Sequence, residues 1–197
     1  METFMSTNVL IVVAAAVIVL LVILLVAMVV NRKRRSQRLR QQFGPEYERV
    51  VLQQGDARHA ETVLAQREKR VEKLSIRHLS KADRERYAAD WAVVQRRFVD
   101  DPSLAAGEAE TLVTAVMAAR GYPMSDFEQR AEDVSVSYPR VVQNYRQARA
   151  ISLRHGQGQA TTEELRQAMV YFRSLFEELL EVPQSERMAV THGRLAS

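Results

Sequence analysis

The sequence of 197 residues contains no cysteine, which excludes disulfides, thiolate nucleophiles, cysteine-ligated zinc and iron–sulfur clusters. Glycine and proline are also scarce, with 7 and 5 copies, so few positions interrupt a helix. Alanine, leucine, arginine, glutamine and glutamate are abundant, and these residue types favour helix over sheet. No segment alternates as a half-buried strand would, and no repeat of fixed period is present. The chain is therefore predicted to be all-α.

The formal net charge of +4 is unevenly distributed along the chain. Residues 31–77 carry 13 lysines and arginines against 6 acidic residues, whereas residues 78–197 carry 15 against 17. The basic excess therefore lies near the N-terminus and not on the distal body. Because that body has no positive excess, we expect it to bind no nucleic acid.

One long apolar run, Val9–Val30, contains no charge, no proline and no polar side chain. As a helix it would rise about 33 Å, which matches the hydrocarbon thickness of a bilayer. A cleaved signal peptide would need a basic start and a shorter apolar stretch, but the only charged side chain before the run is Glu2. The run predicts a short N-terminal tail at 1–8 and a single transmembrane helix, acting as a signal-anchor, at 9–30.

A cluster of basic residues follows this run directly and consists of Arg32, Lys33, Arg34, Arg35, Arg38 and Arg40. Positive residues stay on the cytoplasmic side, which predicts a single-pass protein of the cell membrane with its N-terminus outside and its C-terminal domain in the cytoplasm. The same cluster could face the lipid and contact anionic head groups. A role as topology determinant alone fits the pattern equally well.

The remaining sequence divides by its caps and breakers into three parts. Residues 31–79 are predicted to form a basic juxtamembrane segment and a helical strut, residues 80–182 a bundle of about four to six helices, and residues 183–197 a disordered tail. Helix starts are predicted where capping residues or prolines precede apolar periodicity, at Pro45, Asp56, Ser80, Asp101, Ser125, Pro139 and Thr161.

Two apolar faces stand out in the predicted bundle. Tyr87, Trp91, Val94 and Phe98 recur at spacings of four, three and four, which places them on one side of a helix. The last helix carries a broader apolar face, formed by Leu165, Ala168, Met169, Phe172, Leu175, Phe176, Leu179 and Leu180. Both faces are predicted to be core.

Known catalytic and ligand-binding motifs are absent from the sequence. There is no glycine-rich phosphate loop, no nucleophile elbow and no HExxH pair, and His59, His78, His155 and His192 do not have metal-ligand spacing. The adjacent pair Asp100-Asp101 fits helix termination and capping. We therefore expect no cofactor and no metal, and an enzymatic activity is the less favoured expectation.

Polar side chains next to apolar helix faces form the one candidate site. They are Gln95, Asp100, Asp133, Arg146 and Arg173. An arginine beside an aromatic ring can stack on it and pair with a carboxylate. These residues could form a structural network that fixes helix packing, or a cleft that binds an anion or a peptide.

Four segments carry a resemblance to a known group of proteins. They are YAADWAVVQRRFVDDP (87–102), RGYP (120–123), SVSYPRVVQNYRQAR (135–149) and TEELRQAMVYFRSLFEELL (162–180). The sequence resembles a group of uncharacterised bacterial single-pass membrane proteins with a helical cytoplasmic domain. The resemblance implies a bacterial source and a recurring plan of anchor plus helical body. It implies no activity and no catalytic residue.

The sequence thus predicts a membrane-anchored helical interaction or scaffold module at the cytoplasmic face, with the bilayer and an unidentified protein as partners. The alternative is a ligand-binding protein or enzyme at the membrane surface that uses a polar cleft around Gln95, Arg146 and Arg173. Self-association of the bundle is a third possibility.

Overall fold

The computed structural model describes the backbone of residues 2–181 and the side chains of residues 18–181. Within these residues the secondary structure is helical throughout, with no strand, which confirms the predicted all-α class. The eight helices of this part of the chain are α1 (Glu2–Phe43), α2 (Pro45–Gln54), α3 (Ala57–Glu72), α4 (Lys81–Asp100), α5 (Pro102–Arg120), α6 (Phe127–Ser137), α7 (Val142–Gly156) and α8 (Thr162–Leu180). The predicted tail at 183–197 lies outside the described residues.

The chain divides into two compact units, and the boundary falls between Gln42 and Phe43. The second unit contains the seven helices α2 to α8, and five of them, α4 to α8, lie in the range 80–182 where a bundle of four to six was predicted. Helices α2 and α3, which the sequence assigned to a strut, belong to this unit because both bury apolar side chains.

The predicted membrane anchor is corrected by the structure. Among the described residues, no helix combines the length and the apolar character needed to cross a bilayer. The single-pass, signal-anchor and cell-membrane predictions, together with the orientation inferred from them, are wrong for this part of the chain. The side chains of residues 9–17 lie outside the described residues.

The first unit, taken by itself, is a continuous helix in its described part. The large apolar side chains from Ile18 to Val30 are 41–73 % exposed.

Side-chain caps set most of the helix starts in the second unit, as the sequence predicted. Asp56 accepts a hydrogen bond from the backbone of His59 at 3.1 Å, and Asp101 accepts one from Leu104 at 2.9 Å. Thr161 and Glu164 form a reciprocal capping box at the start of α8. These bonds satisfy amide groups that the first helical turn leaves without partners.

Two helix starts differ from the prediction. The N-cap of α6 is Asp126, whose carboxylate accepts a hydrogen bond from Gln129, and not Ser125. Helix α7 begins at Val142 and not at Pro139, because the carbonyl of Tyr138 accepts bonds from both Val141 and Val142 and closes a turn there.

The main core lies where α8 packs against α5 and α7, and α5 also packs against α4. Tyr87, Trp91 and Val94 of α4 are buried in it, and Phe98 is half-buried against it. The rings of Trp91 and Phe176 stack with centroids 4.6 Å apart. The aromatic face predicted for α4 is therefore core.

The segment that connects α3 to α4 is held against the C-terminal end of α5 by a close backbone contact. The amide of Arg77 donates to the carbonyl of Arg120 at 2.8 Å. The next residue, Gly121, has φ +96°, and a Cβ at that position would lie 2.7 Å from the carbonyl oxygen of Ser75. Glycine is required there for both its conformation and its size.

Candidate functional site

The candidate site is centred on Glu46, in the first turn of α2. Gly44 adopts φ +48° and Pro45 occupies the first helical position, so the helix starts directly before this carboxylate. Tyr47 and Val50 are buried on the same helix. Glu46 is itself 0 % exposed, which is unusual for a carboxylate and requires charged partners.

Four side chains donate hydrogen bonds to the Glu46 carboxylate. Arg67 donates to Oε1 at 2.8 Å, and Arg146 donates to Oε2 at 2.8 Å. Arg49 donates through Nε at 3.0 Å, and Gln143 through Nε2 at 3.0 Å. The donors come from α2, α3 and α7, so one buried charge joins three helices.

The network continues to α6 through two further carboxylates. Arg67 donates its second guanidinium nitrogen to Glu132 at 2.8 Å. Arg70, one turn further along α3, donates to Glu132 at 3.0 Å and to Asp133 at 2.8 Å. Gln129 also donates to Asp133 at 3.1 Å. We call this set of charged side chains the Glu46 network; its members are Glu46, Arg49, Arg67, Arg70, Glu132, Asp133 and Arg146.

Opposing effects set the ionisation of Glu46. Burial disfavours the charged carboxylate and acts to raise its pKa. The hydrogen bond from Arg49, with the positive charges of Arg146 and Arg67, outweighs burial and holds the pKa of Glu46 below its ordinary value. Burial lowers the pKa of Arg146, but an arginine stays protonated at neutral pH.

The five residues predicted from the sequence do not come together. Asp133 and Arg146 are members of the Glu46 network. Gln95 and Asp100 are exposed on α4. Arg173 is exposed on α8, where its Nε lies 2.6 Å from Glu177 of the same helix. Gln95, Arg146 and Arg173 therefore do not form a common cleft.

The other five members of the network were not predicted from the sequence: Glu46, Arg49, Arg67, Arg70 and Glu132. One signal for Arg67 was present, because Ala60, Leu64 and Val71 of α3 are apolar at spacings that place residue 67 on the same face. An arginine inside an apolar stripe requires a buried acceptor. The partner of Arg67 lies 21 residues away, and that of Arg146 lies 100 residues away, so the pairing depends on the tertiary fold.

The Glu46 carboxylate is fully engaged by its own donors. Three arginines compensate its charge and the neutral amide of Gln143 adds a fourth hydrogen bond, which leaves the carboxylate a poor proton acceptor at neutral pH. In the part of the chain that the structure describes, no group of three or more histidine and acidic side chains could hold a metal ion. Ser103 Oγ lies 2.5 Å from His155 Nε2 at the surface, where it links the start of α5 to the end of α7. His192 lies outside the described residues.

Two open grooves flank α4. One groove of about 360 Å³ runs between α4 and α5, with Val93, Val94 and Leu112 among its lining residues. A second groove of about 410 Å³ lies between α4 and α8, where Trp91 and Phe176 line it. We call the two together the α4 grooves.

Comparisons with protein-family models, curated proteins and solved structures found no match.

Proposed function

We propose that this chain is a helical interaction module that acts by binding another protein. The single observation that carries the proposal is the contrast between its polar and apolar features. The charged side chains of the Glu46 network pair with one another inside the fold, whereas apolar side chains line two open grooves beside α4. A surface of that kind suits the burial of a partner's side chains better than the chemistry of a small substrate.

The alternative function, a ligand-binding protein or enzyme that uses Gln95, Arg146 and Arg173, has less support. Such a site needs convergent polar groups beside a cavity. The three residues lie on different surfaces, and Arg146 is committed to Glu46. Neither α4 groove is lined by any of the three.

The test is co-purification of the tagged full chain from its native cells. Two variants accompany the wild type. Val93→Lys places a long charged side chain in the α4–α5 groove, at a residue that is 43 % exposed and can tolerate the change. Glu163→Lys alters an exposed residue of α8 that lines neither groove.

We expect a stoichiometric partner to co-purify with the wild type and with Glu163→Lys, and to be absent from the purified Val93→Lys protein. Thermal unfolding of the three proteins confirms that all are folded. A chain that purifies alone in every case would overturn the interaction-module proposal. If Val93→Lys retains the partner, the α4–α5 groove is not part of the interface.

A further inference from the structure

The α4 grooves have a charge pattern as well as an apolar floor. Their linings include four carboxylates, Asp90, Glu108, Glu177 and Glu181, and one guanidinium, that of Arg97. The lining charge is therefore net negative. This sign is opposite to that of the whole chain, which carries +4.

Two arginines beside the grooves are held in exposed ion pairs. Arg97 pairs with Glu108 across the α4–α5 groove, and both side chains are partly exposed. Arg173 pairs with Glu177 beside the other groove, and these side chains are 53 % and 57 % exposed. Exposed pairs of this kind contribute little free energy, so an incoming cation can compete for either carboxylate.

The outer surface of α4 allows a close approach between the grooves. Ala88, Ala89 and Ala92 carry only methyl groups, and a helical wheel places Ala89 and Ala92 between the residues that line the two grooves. A partner element that crosses α4 at these positions meets no long side chain there, whereas the exposed Arg96 lies on the same side of the helix one turn further on. Apolar side chains of the partner would enter the grooves, and its polar side chains would meet the carboxylates.

We propose that the α4 grooves bind a basic amphipathic helix of a partner protein, through apolar side chains in the grooves and lysine or arginine side chains on the carboxylates. This inference rests on the proposed function and specifies its partner. Recognition of an amphipathic helix by an apolar groove places anchors at spacings of three, four and seven residues. Charge complementarity adds specificity and a faster association rate.

The sole tryptophan of the chain, Trp91, lines one of these grooves and serves as a built-in reporter. The probe is a synthetic tryptophan-free helix about as long as α4, which has 20 residues, with leucines along one face and lysines elsewhere. The matched probe keeps every leucine and replaces every lysine with glutamate. Each is titrated into the full-length protein while the emission of Trp91 is recorded.

We expect the lysine probe to shift the emission saturably and to bind at least about tenfold more tightly than the glutamate probe. Added salt should reduce this difference by screening the charges. Asp90→Lys should weaken binding of the lysine probe by about five- to tenfold, while Glu163→Lys, outside both grooves, should not change it.

Three outcomes would overturn the inference. Equal binding of both probes would refute the basic partner and leave the α4 grooves as an apolar docking surface. No response of Trp91 to either probe would refute the grooves as the docking surface, while co-purification of a partner tests the interaction module separately. Self-association of the free chain that Asp90→Lys abolishes, measured by light scattering, would assign the grooves to a second copy.

Discussion

Replacing Glu46 with glutamine should loosen the attachment of α2 and α3 to the rest of the folded unit. The change keeps the shape of the side chain and removes only its charge. Arg67 and Arg146 then remain beside a neutral amide, although their side chains are only 4 % and 11 % exposed. Neither guanidinium can be rehydrated without opening the interface between these helices.

The size of the effect follows from the burial of the partners. Hydrogen bonds to charged groups contribute about 1.5–3 kcal/mol each, and Glu46 accepts bonds from three guanidinium groups. Removing one member of a buried ion pair costs about 3–5 kcal/mol, because the remaining charge is left without compensation. Arg67 retains Glu132 at 2.8 Å, which limits the loss, so we expect about 3 kcal/mol.

The assay is urea unfolding of the full chain, combined with native-state hydrogen exchange to locate the change. Amides of α2 and α3 should exchange faster in Glu46→Gln, while those of α5 and α8 should change little. Glu48→Gln is the matched control, because Glu48 is exposed on the same helix. A loss below about 0.5 kcal/mol for Glu46→Gln, equal to that of the control, would refute the stabilising role of the Glu46 network.

We also predict that Glu46→Gln changes the pH dependence of stability. The pKa of Glu46 lies below its ordinary value in the folded protein, and the unfolded value is about 4.3. The stability that its charge contributes is therefore fully present above that pH and is lost as pH falls through the folded pKa. Glu46→Gln should lack this component, so its stability should fall less steeply than that of the wild type below about pH 4.

Three further substitutions test the fold and the surface assignments. Gly121→Ala should lower the free energy of unfolding in urea by at least about 2 kcal/mol, because residue 121 has a positive φ and its Cβ would meet the Ser75 carbonyl. Its control, Gly107→Ala, should raise the free energy of unfolding by about 0.5–1 kcal/mol, because residue 107 lies inside α5 with open space around it. Trp91→Ala should lower stability by about 3–5 kcal/mol in the same assay, and an unchanged melting temperature would show that Trp91 is not core. Arg173→Met should change stability by less than about 1 kcal/mol, since its ion pair is exposed, and a larger loss by calorimetry would contradict that assignment.

Local rules account for the parts of the fold that the sequence predicted. Asp56, Asp101 and Thr161 cap helices because a short side-chain oxygen reaches a free amide within the same turn, which depends on near neighbours alone. The start of α7 is different, because the turn at Tyr138 delays the helix by three residues beyond Pro139. Its position depends on how the chain leaves α6.

The candidate site was less predictable because it depends on which face of a helix a residue occupies. Gln95 and Arg173 each follow a buried residue directly, but one residue along a helix turns the side chain by about 100°, so both are exposed. Arg146 is drawn inward by Glu46, a partner 100 residues away. The spacing of residues within one segment does not indicate a partner that is so distant in the sequence.

The predicted anchor is a separate case. It rested on one apolar run, Val9–Val30, whereas among the described residues no helix combines the length and the apolar character needed to cross a bilayer.

The most direct test of the central claim places a photo-crosslinking amino acid in the full chain at Val93, inside the α4–α5 groove, and separately at Glu163, outside both grooves. After illumination in native cells, mass spectrometry identifies the adduct and the crosslinked peptide. We expect one defined protein attached at Val93, through a segment with basic residues on an amphipathic helix, and no such adduct at Glu163. Absence of any adduct at Val93, or the same adduct at both positions, would contradict it.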